Sequence, residues 1–317
     1  MSDQFSSVAM CTYNGAAFLA QQLESIARQS LLPGELVVCD DGSRDGTREI
    51  LREFQKNAPF PVRITCNETN MGTVRNFEQA ISQCRGKIVF LSDQDDLWHP
   101  DKVRLFMELF HADPDVTMIM TDAEVIDGHG RSRGHTIWQS VQLTPKKQEM
   151  FRRGRSLNVL VRSQLVFGST MAFRKTSMDS SLYPFPAGFF HDEWIALLHA
   201  GLGQIAILES PLTFYRVHEK NQSGLPGNHI VLCVSSLFQA VRTDYIQNTI
   251  TRCQTLLDRL ATVSGLEERR KSAMAVVSDR LGYLHRCHNA VLSRPFWMLW
   301  GMVVRGWQKL VNFKKNE

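Results

Sequence analysis

The stretch Lys87-Ile88-Val89-Phe90-Leu91-Ser92-Asp93-Gln94-Asp95-Asp96-Leu97-Trp98 decides how the chain is read. A short apolar, partly β-branched run stops abruptly at three carboxylates, Asp93, Asp95 and Asp96. Such a run predicts a buried strand whose C-terminal end opens at a crevice. Side chains at i and i+2 of an extended chain point the same way. Asp93 and Asp95 can therefore face one point in space, with Asp96 on the other side or in the next turn. Two carboxylates on one face repel unless a proton or a cation lies between them. A hard divalent cation relieves that repulsion and commonly also carries phosphate oxygens. The plainer alternative is a polar loop in which Asp95 or Asp96 caps the next helix.

Working outward, strand-like and helix-like segments alternate. Ser7 to Cys11, Leu36 to Cys39 and Val62 to Cys66 read as strands. Phe18 to Ser30, Thr47 to Asn57 and Thr73 to Cys84 carry apolar residues at helical spacing. This alternation predicts an α/β fold with an open, mostly parallel sheet covered on both faces. In such sheets ligands bind beyond the C-terminal strand ends. Polar clusters fall there: Thr12-Tyr13-Asn14-Gly15, Asp40-Asp41-Gly42-Ser43 and Asp93 to Asp96. Asp41 is a candidate acceptor of a hydrogen bond from a base or ribose, whereas Asp45 is assigned to turn and cap duty. Arg75, at another helix start, can match a diphosphate or lie solvated on the helix face. Neither G-x-G-x-x-G nor a Walker loop occurs, which counts against dehydrogenase and NTPase readings.

The 317 residues suffice for one large domain and a smaller one, and 43% hydrophobic with 21% charged residues is ordinary globular composition. A net charge of +4 is mild and by itself says little about partners; no nucleic-acid partner is expected. Seven cysteines lack C-x-x-C pairing, and several lie in or beside apolar runs as small hydrophobes, which predicts a reducing, cytoplasmic setting. No basic-then-apolar leader opens the sequence and no apolar run reaches about 18 residues, so neither a signal peptide nor a membrane span is expected.

Val8 to Asn14 (VAMCTYN), Val37 to Thr47 (VVCDDGSRDGT), Asn70 to Asn76 (NMGTVRN) and Ile88 to Trp98 (IVFLSDQDDLW) occur in that order. Together they resemble the nucleotide-binding half of the family 2 glycosyltransferases, which have the GT-A fold, a Rossmann-like open mixed sheet. The resemblance runs from about Val8 to Gly224. It implies a nucleotide-diphosphate sugar donor, Mg²⁺ or Mn²⁺ at the D-x-D motif Asp93-Gln94-Asp95, and inversion at the anomeric carbon. It implies donor contacts from Cys11, Tyr13, Asp41, Arg75 and Asp93. The SDQDDLW wording is similar to that of bacterial rhamnosyltransferase-like enzymes of surface polysaccharide synthesis. That similarity implies dTDP-rhamnose or a UDP-sugar as donor and a glycan or lipid-linked acceptor. Cys11 stands where many relatives have proline; its backbone can still meet a base.

The second half carries its own cluster. Gly168 to Arg174 reads as a strand, and Gly188-Phe189-Phe190-His191-Asp192-Glu193-Trp194 leads into a helix. A first-turn carboxylate is stabilised as an anion by the helix dipole and is free to take a proton. By resemblance, His-Asp-Glu-Trp occupies the place of the family's catalytic Glu-Asp motif, with Asp192 as base, Glu193 as rival and His191 in support. Trp98 and Trp194 offer flat apolar faces to an acceptor sugar ring, or pack in the core. Tyr215-Arg216-Val217-His218 and Asn221 resemble the family's Tyr-Arg-x-His-x-x-Asn segment, which implies His218 near the metal or diphosphate and Arg216 balancing phosphate charge.

These features divide the chain into a transferase domain over 1–224 and a helical region over 225–317. In the latter, Phe296, Trp300, Val303, Trp307 and Leu310 share a helix face beside Arg305 and Lys309. That face suits the cytoplasmic surface of the inner membrane or a second subunit. The rivals are a sugar nucleotidyltransferase, which normally needs a glycine-rich basic loop not found here, and an inactive membrane-bound scaffold of the same fold.

Overall fold

The computed structural model describes residues 5–175, 179–219, 221 and 243–292. The apolar face proposed over 296–310 and the boundary near Gly224 lie outside the described residues. Four parallel strands build the first half: β1 (Ser6–Thr12), β2 (Glu35–Asp40), β3 (Val62–Cys66) and β4 (Ile88–Ser92), joined through helices α1 (Leu19–Ala27), α2 (Thr47–Asn57) and α3 (Thr73–Gln83). A two-residue strand β5 (Leu97–Trp98) and helix α4 (Lys102–Ala112) follow. Next come β6 (Met118–Ile126), β7 (Ser132–Thr136) and the short helices α5 (Ile137–Ser140), α6 (Pro145–Arg152) and α7 (Ser156–Leu160). The remaining elements are β8 (Met171–Arg174), α8 (Asp179–Leu182), α9 (His191–Leu202), β9 (Ile205–Arg216), α10 (Thr243–Thr262) and α11 (Glu267–Leu292).

The strands form one mixed sheet in the order β3-β2-β1-β4-β8-β6-β9-β5, with β7 attached to β6. β8 runs antiparallel to both β4 and β6, while β6 and β9 are parallel. Ile205 to Leu208 and Leu212 to Arg216, which read as separate segments in sequence, belong to the single strand β9. Its register against β6 shifts around Asp122, a bulge that re-aims the strand without ending it.

Alternation along the strands divides the core into two layers. Val8, Met10, Leu36, Val38 and Phe90 face α1 and α4, meeting Leu19, Leu23, Ile26 and Phe106. Ala9, Val37, Cys39, Val89 and Leu91 face the other way, toward Phe77 and Ile81 of α3 and Trp194 and Leu198 of α9. Each fully buried side chain of this size stabilises the fold by about 1.5–3 kcal/mol relative to exposure. The second layer also takes in Ile246, Leu256, Leu260 and Val277 of the α10–α11 hairpin. Residue 194 and its neighbours are thus surrounded, which explains why α9 is buried on nearly every face. Among the described residues, no helix is long and apolar enough to cross a membrane.

Candidate active site

Because β2, β1 and β4 are adjacent and parallel, their C-terminal ends open on the same side of the sheet. Cys11 pairs with Cys39 and Met10 with Ser92, so Tyr13, Asp41 and Asp93 emerge together. They line a cleft of about 340 Å³ that also reaches Asn70, Asn76, Phe77, Asp95, Phe167, Gly168, Phe190, His191 and Asp192. Acids separated by about a hundred residues in sequence therefore share one hollow.

The nucleotide side is rigid. Asp41 is 3% exposed and accepts from the Met71 N–H at 2.9 Å, the Gly72 N–H at 2.9 Å and Asn67 Nδ2 at 3.0 Å. Gly72 has φ of 85°, a conformation that only glycine adopts at little cost, and this turns its N–H onto the carboxylate before α3 begins. Asp40, fully buried, is held by Thr12 Oγ1, the Ser43 N–H and Arg48 Nε. Burial alone would raise its pKa, but those donors hold it below the usual carboxylate range. Asp45 accepts from the Thr47 and Ala16 N–H groups, the turn duty expected of it. Tyr13 is 42% exposed, with its main chain clamped by Gln94: Oε1 accepts the Tyr13 N–H at 2.8 Å and Nε2 donates to its carbonyl at 3.1 Å. Burial, foremost, raises the Cys11 thiol well above its ordinary pKa, so it stays protonated as an apolar wall.

The acidic loop after β4 is electrostatically tense. Asp93 titrates far above an ordinary carboxylate because it is buried and because Asp96, Asp95 and Asp192 add like charge. Asp96, 1% exposed, is pushed up to about 7 by burial and then by Asp95. Behind the loop, Asp95 Oδ2 meets His218 Nε2 at 2.8 Å, bringing together residues 123 positions apart in sequence. Among the described residues, no three His, Cys, Asp or Glu side chains close a metal cage of their own. An ion bound through one or two carboxylates that takes its other ligands from phosphates requires no such cage, and the repelling Asp93–Asp95 pair beside His218 suits that kind of ion.

On the opposite wall, Asp192 occupies the first turn of α9. Its Oδ2 accepts the Gly168 N–H at 3.0 Å and its Oδ1 the Glu193 N–H at 2.7 Å. Burial raises it to about 6, against the pull of those donors. A carboxylate near neutrality is ionised at working pH yet basic enough to accept a proton. A Cβ on Gly168 would lie 2.9 Å from His191 Nε2, so a side chain there would collide with the ring beside Asp192.

Other residues take different places from those expected. Arg216 is 1% exposed and does not line the cleft. Its Nε donates to the Asp95 carbonyl at 2.7 Å, its N–H to Asp96 Oδ1 at 2.9 Å and its Nη2 to Gln21 Oε1 at 2.9 Å. A buried guanidinium needs such partners, and this one secures the acidic loop from behind instead of facing phosphate. Arg75 pairs with Glu78 on the exposed face of α3. Trp98, 3% exposed, packs on Phe90 with Lys102 Nζ 4.1 Å from its ring centroid. Trp194 is wholly buried and donates to the Leu182 carbonyl at 3.0 Å. Neither indole presents a face to the cleft. Glu193 is engaged by Arg252 of α10.

Several site residues escaped the sequence reading. Gln94 stands between the two acids, and the i, i+2 rule sends it to the other side, where it clamps the Tyr13 main chain. Asn76 Nδ2 donates to the Cys39 carbonyl at 2.8 Å and so anchors α3 to the β2 end. Lys102, fully buried, donates to the Ser169 carbonyl and to Thr213 Oγ1 at 3.0 Å, and burial lowers it to about 7. Phe167, Phe190 and Tyr215 supply aromatic surface that the tryptophans do not. Phe167 and Phe190 lie outside strands and helices and carry no periodic signal, and Tyr215, in β9, is visible in sequence only as part of its motif.

An open mixed sheet with carboxylates at its strand ends and a further acid across the cleft defines the GT-A class of nucleotide-diphospho-sugar transferases. Residues 7–180, more than half of the chain, match Glycosyl transferase family 2, and the chain belongs to that family. An uncharacterised glycosyltransferase of Nostoc sp. is 28% identical over 219 residues, covering 68% of this chain and 65% of that one. The chain thus spans about two thirds of the length of that relative. Among solved structures, the S. aureus TarS fragment 1–349 in complex with UDP-GlcNAc superposes with TM-score 0.58 at 17% identity, covering 95% of this chain and 81% of that one. The mannosyltransferase PcManGT from Pyrobaculum calidifontis, in complex with GDP-Man and Mn²⁺, gives TM-score 0.52 at 16% identity over 96% of this chain and 80% of that one. The GT-A fold expected from sequence is the fold the chain has.

Proposed function

We propose that this protein is an inverting glycosyltransferase that moves a sugar from a nucleotide diphosphate to a hydroxyl of a glycan or lipid-linked acceptor in surface polysaccharide synthesis. One observation carries the reading: Asp41, the Asp93–Asp95 pair and Asp192 line a single cleft. Asp41, Tyr13 and Cys11 form the end that receives base and ribose. Asp93 and Asp95, with His218, would hold Mg²⁺ or Mn²⁺, which when bound offsets the charge of the diphosphate. Asp192 takes the proton of the acceptor hydroxyl. The acceptor oxygen then bonds to the anomeric carbon, the bond from that carbon to the diphosphate oxygen breaks, and the nucleoside diphosphate leaves with the electron pair. Attack from the face opposite the leaving group inverts the centre. Glu193, paired with Arg252, is less available for the proton transfer than Asp192.

The solved neighbours are bound to UDP-GlcNAc in one case and GDP-Man in the other, which places both in the donor panel beside dTDP-rhamnose. The proposed division into 1–224 and 225–317, and contact of the latter with membrane or a second copy, belong to the same reading. The test is incubation of the purified protein with Mg²⁺ or Mn²⁺ and UDP-, GDP- and dTDP-sugars, with chromatography of the nucleotide products. A nucleoside diphosphate released from one donor supports transfer; pyrophosphate would assign the chain to nucleotidyl transfer instead, and no product from any donor would favour the inactive scaffold. Asp192→Asn should lower transfer by about 10²–10⁴-fold while calorimetric affinity for the nucleoside diphosphate stays within about twofold.

A further inference from the structure

His191 opens α9 and is 6% exposed. Its ring stacks on Phe77 with centroids 3.8 Å apart and planes 10° from parallel. His191 lines the cleft beside Asp192, yet neither Nδ1 nor Nε2, both enclosed just behind the cleft surface, has a hydrogen-bond partner among the described residues. Buried polar groups are almost always paired, so an unpaired one at a cleft wall calls for a ligand. His199 is equally unpartnered, but it is wholly enclosed and lines no part of the cleft, so no substrate reaches it.

We propose that the His191 imidazole is a specificity-determining group that hydrogen-bonds one hydroxyl of the sugar ring carried by the nucleotide donor. This rests on the glycosyl-transfer reading above. Burial holds the ring neutral, with its pKa lowered to about 3, so one nitrogen donates and the other accepts. A hydroxyl can pair with either nitrogen, as donor to one or acceptor from the other, whereas a phosphate oxygen can only accept from the protonated one. The stacking partner selects donor over acceptor. Phe77 belongs to α3, whose Thr73 and Asn76 line the nucleotide end with Asp41 and Asn70. The ring therefore bridges the donor wall and the Asp192 wall, where the transferred sugar must lie for its anomeric carbon to be attacked. With Phe77 against one face and Gly168 close to Nε2, the imidazole has little freedom to turn. Such fixed geometry is what lets a hydrogen-bonding site reject an analogue lacking the hydroxyl.

The experiment takes the nucleotide sugar that the wild-type protein turns over and its monodeoxy analogues, each with one ring hydroxyl removed. Wild-type kcat/KM is expected to fall by at least about a hundredfold for one analogue. His191→Phe retains ring and stacking but has no polar atom. It should lose about ten- to a hundredfold on the parent donor and almost nothing on that analogue, so the discrimination collapses. His191→Asn, which keeps a donor and an acceptor, should restore part of it. Independently of turnover, calorimetry should find weaker binding of the intact nucleotide sugar by His191→Phe, with the free nucleoside diphosphate unchanged. Equal losses on every analogue, no loss on any, or a change confined to acceptor KM would each overturn the assignment. Should the wild-type protein transfer no sugar while its binding of a nucleotide sugar still depends on His191, the transfer reading fails and the hydroxyl contact stands.

Discussion

Asp192 answers to two opposed demands. A proton acceptor must be basic, and burial makes it so, raising its pKa to about 6. The same burial destabilises the folded state whenever the group is charged. The unfolded chain binds the proton with the ordinary pKa near 3.8. Below that pH both states are protonated and no cost arises. As pH rises through the folded value, stability is lost, by an amount on the order of 3 kcal/mol. Asp192→Asn removes the penalty. The variant should therefore melt above the wild type at pH 8 and lose that advantage at pH 4, as scanning calorimetry would read. Transfer itself should rise with pH around 6, the opposite trend to stability. If the substitution lowered the melting temperature at pH 8, the carboxylate would be serving the fold through Gly168 and Glu193 more than the reaction.

At the scale of elements, the site depends on α9 being held from behind. Leu260 of α10 is wholly buried in the layer that includes Trp194 and Leu198. Leu260→Ala removes apolar volume where three elements meet, and should cost about 2–5 kcal/mol in denaturant unfolding; a cost under about 1 kcal/mol would mean that the hairpin packs loosely. The same elements set what was legible beforehand. The four parallel strands and α1 to α3 were readable because alternation and helical spacing recur without interruption from Ser7 to Ser92. Asp41, Asp93 and Asp192 were readable as site candidates because each ends a strand or starts a helix. The fates of Trp98, Trp194 and Arg216 were not. Whether an amphipathic side chain faces a cleft or the core depends on partners distant in sequence, such as Gln21 for Arg216 and Leu182 for Trp194. β9 read as two pieces because Glu209-Ser210-Pro211 breaks its apolar pattern where the register shifts against β6.

Over the whole molecule, the described C-terminal helices are as much a part of the site's foundation as the sheet. Arg259 of α10 donates to the carbonyls of Ser181, Tyr183 and Pro184, at 2.6 Å, 3.1 Å and 2.8 Å, in the segment that leads to α9. About two turns earlier on the same helix, Arg252 reaches Glu193, the neighbour of Asp192. Cation and carbonyl contacts of this kind fix direction as well as energy, so the helix holds both approaches to the first turn of α9. Cutting the chain after residue 224 would delete α10 and α11 and expose Trp194, Leu198 and Leu202 to water. The parallel half, from β1 to β4, has on its other face a packed layer against α1 and α4 that contains no residue of the hairpin. The truncated chain is therefore expected to keep strand and helix signals in far-ultraviolet circular dichroism but to melt at least about 5 °C lower. It should also lose transfer while retaining part of its affinity for the nucleoside diphosphate. An unchanged melting temperature with full transfer would make the hairpin an appendage, and the support of Asp192 would then have to come from α3, α7 and the sheet alone.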